Sequence, residues 1–251
     1  MTLVVDQVSH AYRRLQALTR ISVQAAPCSI TAVIGPNAAG KSTLLRCAIG
    51  GLRPTQGRVL VDGEPAHRLK TTRLARRIAY VPQRSVVSAS FTVREVVELG
   101  RYALEPSRQR VDDALEQLDL AQIADRPYPA LSVGQQQRAA LARAVAQLAG
   151  DGHLVLDEPT SAMDLRHVRE AMLVLRRLAD GGATVLVAMH DLMLAASVAD
   201  ECWLLDGGRL AAAGPTRGVM DLERLRGVFG VGFEWVGRPG RDPILLAETE
   251  R

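Results

Sequence analysis

Cysteine is scarce in this 251-residue chain: Cys28, Cys47 and Cys202 are widely separated and odd in number. Such a set, without paired metal-ligand spacing, argues against a disulfide framework and suits small core residues in a reducing compartment. Long apolar runs are missing too. No segment reaches the roughly 18 uncharged apolar residues that a membrane span needs. Residues 1–6 lack the basic region and following apolar stretch of an export signal, so none is expected. Charge is not blocked by sign either: 31 Lys and Arg stand against 27 Asp and Glu, a net +4 with the basic residues scattered. That describes a solvated mixed surface and offers no argument for nucleic acid. Repeats and low-complexity tracts are absent. The expectation is a cytoplasmic protein that, if it serves a membrane, does so from the surface. A 47% hydrophobic and 23% charged composition is ordinary for a soluble α/β protein, as one large domain or a domain with an insertion.

What the chain does have is centred on Gly35-Pro36-Asn37-Ala38-Ala39-Gly40-Lys41-Ser42-Thr43. A β-branched apolar run, 30–34, reads as a buried strand, and helical patterning restarts at Lys41. Two glycines five apart, then Lys-Ser, is the spacing of a phosphate-binding loop. Backbone N–H groups at the helix N-terminus form a partly positive nest for phosphate oxygens. Lys41 would add a full charge at the β- and γ-phosphates, and the Ser42 hydroxyl would be a ligand for Mg²⁺. A glycine-rich strand-to-helix turn is the bland alternative.

Taken in order, residues 3–11 and 21–23 look like short strands about an Arg13-Arg14 turn. Gly50-Gly51 stops the helix after the loop, and Asp62-Gly63 after 58–61 signals a hairpin. A basic helical stretch, 69–77, leads to a strand at 78–81 that Pro82-Gln83 ends. Between 85 and 150 strand signals vanish and helical periodicity appears at 93–99, 111–118 and 135–148. β/α alternation then resumes with strands at 154–156, 183–189 and 203–205 and a helix over 164–178. The tail from 221 holds a short helix and two strands, 233–236 and 244–246.

Asp157 and Glu158 follow the apolar strand Leu154-Val155-Leu156. In a parallel sheet that edge is where ligands bind. One carboxylate there can hold Mg²⁺, and a second can orient or deprotonate the water attacking a γ-phosphate. A solvated acidic pair is the alternative. In Leu131-Ser132-Val133-Gly134-Gln135-Gln136-Gln137-Arg138, Ser132 and Gln135 complete a capping box, so a well-capped helix accounts for this stretch unaided. His190 after a strand can bond a γ-phosphate or be a core histidine. Gln83 can reach Mg²⁺ or water, or be a surface amide. Tyr12 can stack on a base or pack on Leu15 or Leu18. His10, His67, His153 and His167 show no ligand spacing and are expected at the surface.

In combination these motifs resemble the ABC (ATP-binding cassette) ATPases over nearly the entire chain. Gly35 to Thr43 resembles Walker A, Gln83 the Q-loop, Ser132-Val133-Gly134-Gln135 the signature, and Asp157-Glu158 Walker B with its catalytic glutamate. Ser161-Ala162-Met163-Asp164 is similar to the D-loop, His190 to the switch histidine, and Tyr12 to the adenine-stacking aromatic. The resemblance implies a P-loop NTPase fold with a parallel sheet, an N-terminal antiparallel β part and a helical subdomain. The single domain 1–251 would divide into a core, 1–84 and 151–251, and an insertion, 85–150. It also implies ATP and Mg²⁺ as cofactors, with Ser42, Gln83 and Asp157 on the metal, and Glu158, His190 and Gln83 as catalytic residues. A head-to-tail homodimer would sandwich ATP between the phosphate loop of one subunit and Ser132, Gly134 and Gln135 of the other, with Asp164 beside them.

The segment 91–102, residues 192–199 and the tail around Phe229-Gly230 are similar to importer ATPases for iron-siderophore, haem and cobalamin uptake. That implies a peripheral subunit on the inner face of the membrane. It would dock a permease near Gln83 and residues 85–102 and serve a periplasmic or surface substrate-binding protein indirectly. Two other classes stay open: a soluble ABC scaffold of the iron–sulfur assembly type, and a nucleic-acid-acting ABC ATPase. The second usually carries a coiled-coil insert or two cassettes, neither of which is present. Two positions depart from the pattern. Ala38 and Val133 stand where glycine is usual, and a methyl at 38 is costly only if φ is positive there.

Overall fold

The computed structural model describes residues 2–83, 90–148, 150–238 and 241–248. β1 (Leu3–Tyr12) and β2 (Leu15–Ala25) form an antiparallel hairpin across Arg13-Arg14. Next come β3 (Ile30–Ile34), α1 (Lys41–Ala48), β4 (Gln56–Val61) and β5 (Glu64–Pro65). Asp62 and Gly63, at φ 51° and 80°, turn β4 back on β5 as a two-residue hairpin of the primed type requires. α2 (Thr71–Ala75) and β6 (Ile78–Val81) follow. Among the described residues from 93 to 147, the regular elements are all helical: α3 (Val93–Glu98), α4 (Arg108–Gln117), α5 (Val133–Gln147) and short 3₁₀ turns. The chain continues through β7 (His153–Asp157), α6 (Leu165–Asp180), β8 (Thr184–Ala188), α7 (Leu192–Val198) and β9 (Glu201–Asp206). It ends with β10 (Arg209–Pro215), α8 (Thr216–Val219), α9 (Leu222–Phe229), β11 (Phe233–Arg238) and β12 (Arg241–Ala247).

A six-stranded sheet in the order β10-β9-β3-β8-β7-β6 is parallel except for β10. Its central strands β3, β7 and β8 are buried on both faces, which is why they read as continuous apolar runs. Side chains alternate between two cores. Ile30, Ile34, Leu154, Leu156, Val185 and Val187 pack with α3 to α6. Val33, Val155, Leu186 and Trp203 pack with α1 and the β2-β1-β4-β5 sheet. The parallel register brings the C-terminal ends of β3, β6, β7 and β8 to one edge. With β8 between β3 and β7, whatever follows β8 sits between the loop after β3 and the acids after β7.

Some elements differ from the sequence reading. The strand expected at 21–23 is the end of the longer β2, whose polar residues line an exposed edge. Only Thr71–Ala75 of the basic stretch is helical, and it buries no residue. β10 pairs with β9 across Gly207-Gly208, although its Ala-Gly composition carries little strand signal. Cys47 and Cys202 are core residues, but Cys28 is exposed. His10 and His153 are buried rather than superficial. The His153 Nε2 lies 3.4 Å from Asp62 Oδ1, and burial lowers its pKa against the pull of that carboxylate.

Candidate functional site

The loop after β3 is shaped by two glycines that no other residue can replace. Gly35 has φ 147°, and a Cβ there would lie 2.2 Å from the Leu205 carbonyl oxygen. Gly40 has φ 100°, and its Cβ would lie 2.6 Å from the Ala17 oxygen. Gly40 is also the N-cap of α1, where no side chain caps the helix. The first-turn N–H groups and the positive end of the helix are thereby left for an anion. Lys41 is buried, and its Nζ donates to the carbonyls of Gly35 at 2.8 Å and Pro36 at 3.0 Å. Burial lowers its pKa, while the nearby Glu158 and Asp157 carboxylates raise it again. Asn37 is exposed at the loop tip, Ala39 is buried beneath it, and Thr43 is half-buried in the first turn.

Across the sheet edge, the Ser42 hydroxyl donates to Asp157 Oδ1 at 3.0 Å. Asp157 is buried at the end of β7, and this desolvation raises its pKa against the Ser42 hydrogen bond, which lowers it. Glu158 follows with φ 52°, a left-handed backbone that costs about 1–2 kcal/mol for an L-residue. Its N–H donates to Ala188 O at 3.1 Å. The Glu158 carboxylate accepts from Gln83 Nε2 at 2.7 Å and contacts His190 Nε2 through its Oε1. That contact calls for the proton on Nε2. Four strand ends thus bring Lys41, Ser42, Gln83, Asp157, Glu158 and His190 into one cluster. An uncapped helix end with a buried lysine fits a polyphosphate, and a hydroxyl beside a buried carboxylate and an amide fits a hard divalent cation.

The other named residues lie apart from that cluster. Ser132 caps α5, its hydroxyl accepting from Gln135 N–H at 3.3 Å while Gln135 Oε1 accepts from Ser132 N–H at 3.0 Å. Among the described residues, no hydrogen bond joins Ser132, Gly134 or Gln135 to the loop after β3. Gly134 meets the chain after β7 instead: a Cβ would lie 2.6 Å from Ala162 O. Asp164 caps α6 by accepting from His167 N–H at 3.0 Å and lies 2.8 Å from His167 Nδ1. Tyr12 ends β1, is 40% exposed, and meets His10 edge-on at 4.7 Å. It stands opposite Leu15 in the hairpin register.

Both departures from the usual pattern acquire a physical reading. Ala38 has φ 62°, so its methyl falls on the costly side. Val133 is 70% exposed at the first position of α5, unconfined by its own chain. Sequence reasoning missed Gln137, whose buried amide bonds the backbone on both sides of the turn after β7. The available signal was position: two residues, or about 200°, beyond the capping Gln135 turns it to the opposite face of α5.

A parallel sheet whose first βα junction is a glycine-bounded Lys-Ser loop, with carboxylates at a neighbouring strand end, defines a P-loop nucleoside-triphosphatase. Residues 18–161 match the ABC transporter family. The hemin import ATP-binding protein HmuV of Pseudomonas fluorescens (strain Pf0-1) is 42% identical over 243 residues, covering 93% of this chain and 95% of that protein. The cobalamin import ATP-binding protein BtuD of Halobacterium salinarum (strain ATCC 29341 / DSM 671 / R1) is 44% identical over 207 residues, 80% of this chain and 52% of that one. Among solved structures, the dimeric post-hydrolysis ATP-binding cassette MJ0796 with ADP and Pi superposes with a TM-score of 0.78. It is 26% identical, and the match covers 86% of this chain and 99% of that one. The chain belongs to the ABC transporter family, as an ATP-binding, ATP-hydrolysing cassette.

Proposed function

We propose that this cassette powers an importer for haem or a related iron chelate or corrinoid, working as a homodimer on the inner face of the cell membrane. The observation that carries the reading is the cluster at the ends of β3, β6, β7 and β8, with Glu158 held between Gln83 and His190. Full-length similarity to hemin import subunits supports the class of cargo. No helix among the described residues is long and apolar enough to cross a membrane, and in this reading the membrane path belongs to a permease partner.

In this reading Gly35 to Thr43 wrap the phosphates, and Tyr12 packs on the adenine. Ser42, Asp157 and Gln83 would hold Mg²⁺, which supplies charge screening on the β- and γ-phosphates. Glu158 takes a proton from the water that attacks the γ-phosphorus, as the bond to the ADP oxygen breaks. His190 and Gln83 keep that carboxylate in place. Ser132, Gly134 and Gln135, turned away from their own loop, complete the site of the second subunit, with Asp164 at the same junction. Hydrolysis removes the charge that both halves share.

Residues 85–150 form the helical subdomain of this scheme, inserted in a core of 1–84 and 151–251. The expected permease site at 85–102 lies outside the described residues from 85 to 89. Beside its described part is a groove of about 420 Å³ between α1, β6 and α5, lined by Ile49, Leu74, Tyr80, Leu99 and Tyr102. Leu99 and Tyr102 are large apolar side chains open to solvent there, as an interface for a partner helix requires. Leu99→Asp should abolish recovery of the permease while ATP binding persists. For the dimer, Glu158→Gln should stop turnover and give an ATP-dependent dimer in light scattering. A monomer at saturating ATP would count against the sandwich.

A further inference from the structure

Glu158 combines two demands that conflict. Its carboxylate must meet Gln83 and His190, and its backbone must hold φ 52°, where an L-residue is disfavoured. A strained conformation persists only where the surroundings over-determine it. On one side Glu158 N–H donates to Ala188 O at the end of β8. On the other, Glu158 O accepts from Gln137 Nε2 at 3.0 Å, a shorter bond than the one from Ser161 N–H at 3.4 Å.

Gln137 makes two further bonds from the same buried amide. Its Nε2 also donates to Ser161 Oγ at 3.1 Å, and its Oε1 accepts from Ala162 N–H at 3.0 Å. Both amide protons and one acceptor site are therefore used. The orientation is fixed by chemistry, since a flipped amide would set two donors against each other at Ala162. One turn earlier on α5, Gly134 lets the helix approach Ala162 O so closely that a methyl group would collide. The turn between β7 and α6 is thus clamped to α5 at Glu158, Ser161 and Ala162.

We propose that Gln137 is a positioning residue for ATP hydrolysis. Its amide holds Glu158 in the left-handed conformation that aims the carboxylate, and ties that conformation to the helix whose exposed end carries Ser132 and Gln135. Any displacement of that end, such as engagement of a second subunit's nucleotide, is passed through a rigid helix to the base of the chain's own site. Because this rests on Glu158 being the base, Glu158→Gln serves as the control.

The test compares full-length Gln137→Leu and Gln137→Glu with the parent and with Glu158→Gln, measuring steady-state ATPase activity, ATP affinity by calorimetry and Tm. Gln137→Leu loses all three hydrogen bonds. Gln137→Glu keeps the acceptor for Ala162 N–H but, when ionised, has no donor for Glu158 O. Both should lower kcat at least tenfold while ATP affinity stays within about twofold. The ratio of Gln137→Glu to parent kcat should rise as pH is lowered from 8 to 6, because a protonated carboxyl regains one donor. If the leucine variant does not fold, the glutamate variant carries the test. A kcat within twofold of the parent in either folded variant, or a loss matched by an equal loss of ATP affinity, overturns the proposal. If Glu158→Gln turns over normally, the assignment of the base is wrong and the proposal falls with it. If Glu158→Gln is inactive while the Gln137 variants are not, only the proposal falls.

Discussion

Two helix N-termini in this molecule carry the motifs assigned to nucleotide, and they are built in opposite ways. α1 starts from Gly40, without a side-chain cap, beside a buried Lys41 whose ammonium lies within the loop. α5 starts from Ser132, whose hydroxyl and Gln135 satisfy each other in a closed capping box at the surface. The first terminus holds its donors open inside a finished pocket. The second is stable alone and exposed, with Val133 turned to solvent. A helix end that meets its ligand within its own chain can leave its donors uncapped, because burial and glycine geometry keep the pocket in shape. One that meets its ligand on another molecule must be satisfied while it waits, since an uncapped exposed end costs about 1 kcal/mol.

The sharpest way to break this contrast is to remove the charge at the uncapped α1 terminus. Lys41→Ala should reduce ATP affinity at least a hundredfold by calorimetry and bring turnover to background. An affinity within tenfold of the parent would show that the pocket is not complete in one chain. Next in size is Asp157→Asn, which should lower Mg²⁺-dependent turnover about a hundredfold yet stabilise the nucleotide-free protein. The sign follows from burial, which raises the Asp157 pKa and so penalises its ionised form in the fold. The penalty is absent at pH values below the unfolded pKa, grows through the folded pKa, and is complete above it. The variant should therefore melt a few degrees higher at pH 7.5 and lose that advantage as the pH falls. Equal Tm values at pH 7.5 would show that Ser42 and Lys41 already compensate the buried charge.

The uncapped α1 terminus is the more legible of the two. All its determinants, from Gly35 to Ser42, fall within eight residues, and the spacing of glycine, lysine and hydroxyl is itself the geometry. The capping box at α5 was equally local. What the sequence did not disclose depends on distant backbone. The clamp of Gln137 on Glu158 and Ala162 joins residues more than 20 positions apart. The burial of His153 is decided with the Asp62 hairpin, 91 residues away. β10 leaves little trace in the sequence because its Ala- and Gly-rich strand is held by pairing with β9, not by an apolar face of its own. The sign of φ at Ala38 and Glu158 likewise reflects what surrounds them, not a propensity of alanine or glutamate.

The capped α5 terminus should respond differently to loss of its cap. Ser132→Ala removes the acceptor for Gln135 N–H, worth about 1 kcal/mol, and a Tm lower by about 2–4 °C is expected for a chain of this size. ATP affinity of the single subunit should stay within twofold, while turnover, which in the proposed sandwich needs the paired form, drops about tenfold. Parallel losses of single-chain affinity and turnover would mean that Ser132 serves its own pocket, and the contrast between the two helix ends would fail.

The smallest effect tests how well the loop at the uncapped α1 terminus is made. Ala38 holds φ 62° inside the loop, a conformation that costs an L-residue about 1–2 kcal/mol and glycine almost nothing. Glycine in turn loses more backbone freedom on folding, about 0.5–1 kcal/mol relative to alanine. Ala38→Gly should therefore gain only about 0.5 kcal/mol, or about 1–2 °C in Tm. Its effect on nucleotide is expected to run the other way. An alanine already confined to the left-handed basin keeps the loop near its final shape, and glycine would free it to leave. ATP affinity should fall about twofold while kcat holds. A gain in both stability and affinity would show that the methyl at position 38 only strains the loop and does nothing to hold it ready for phosphate.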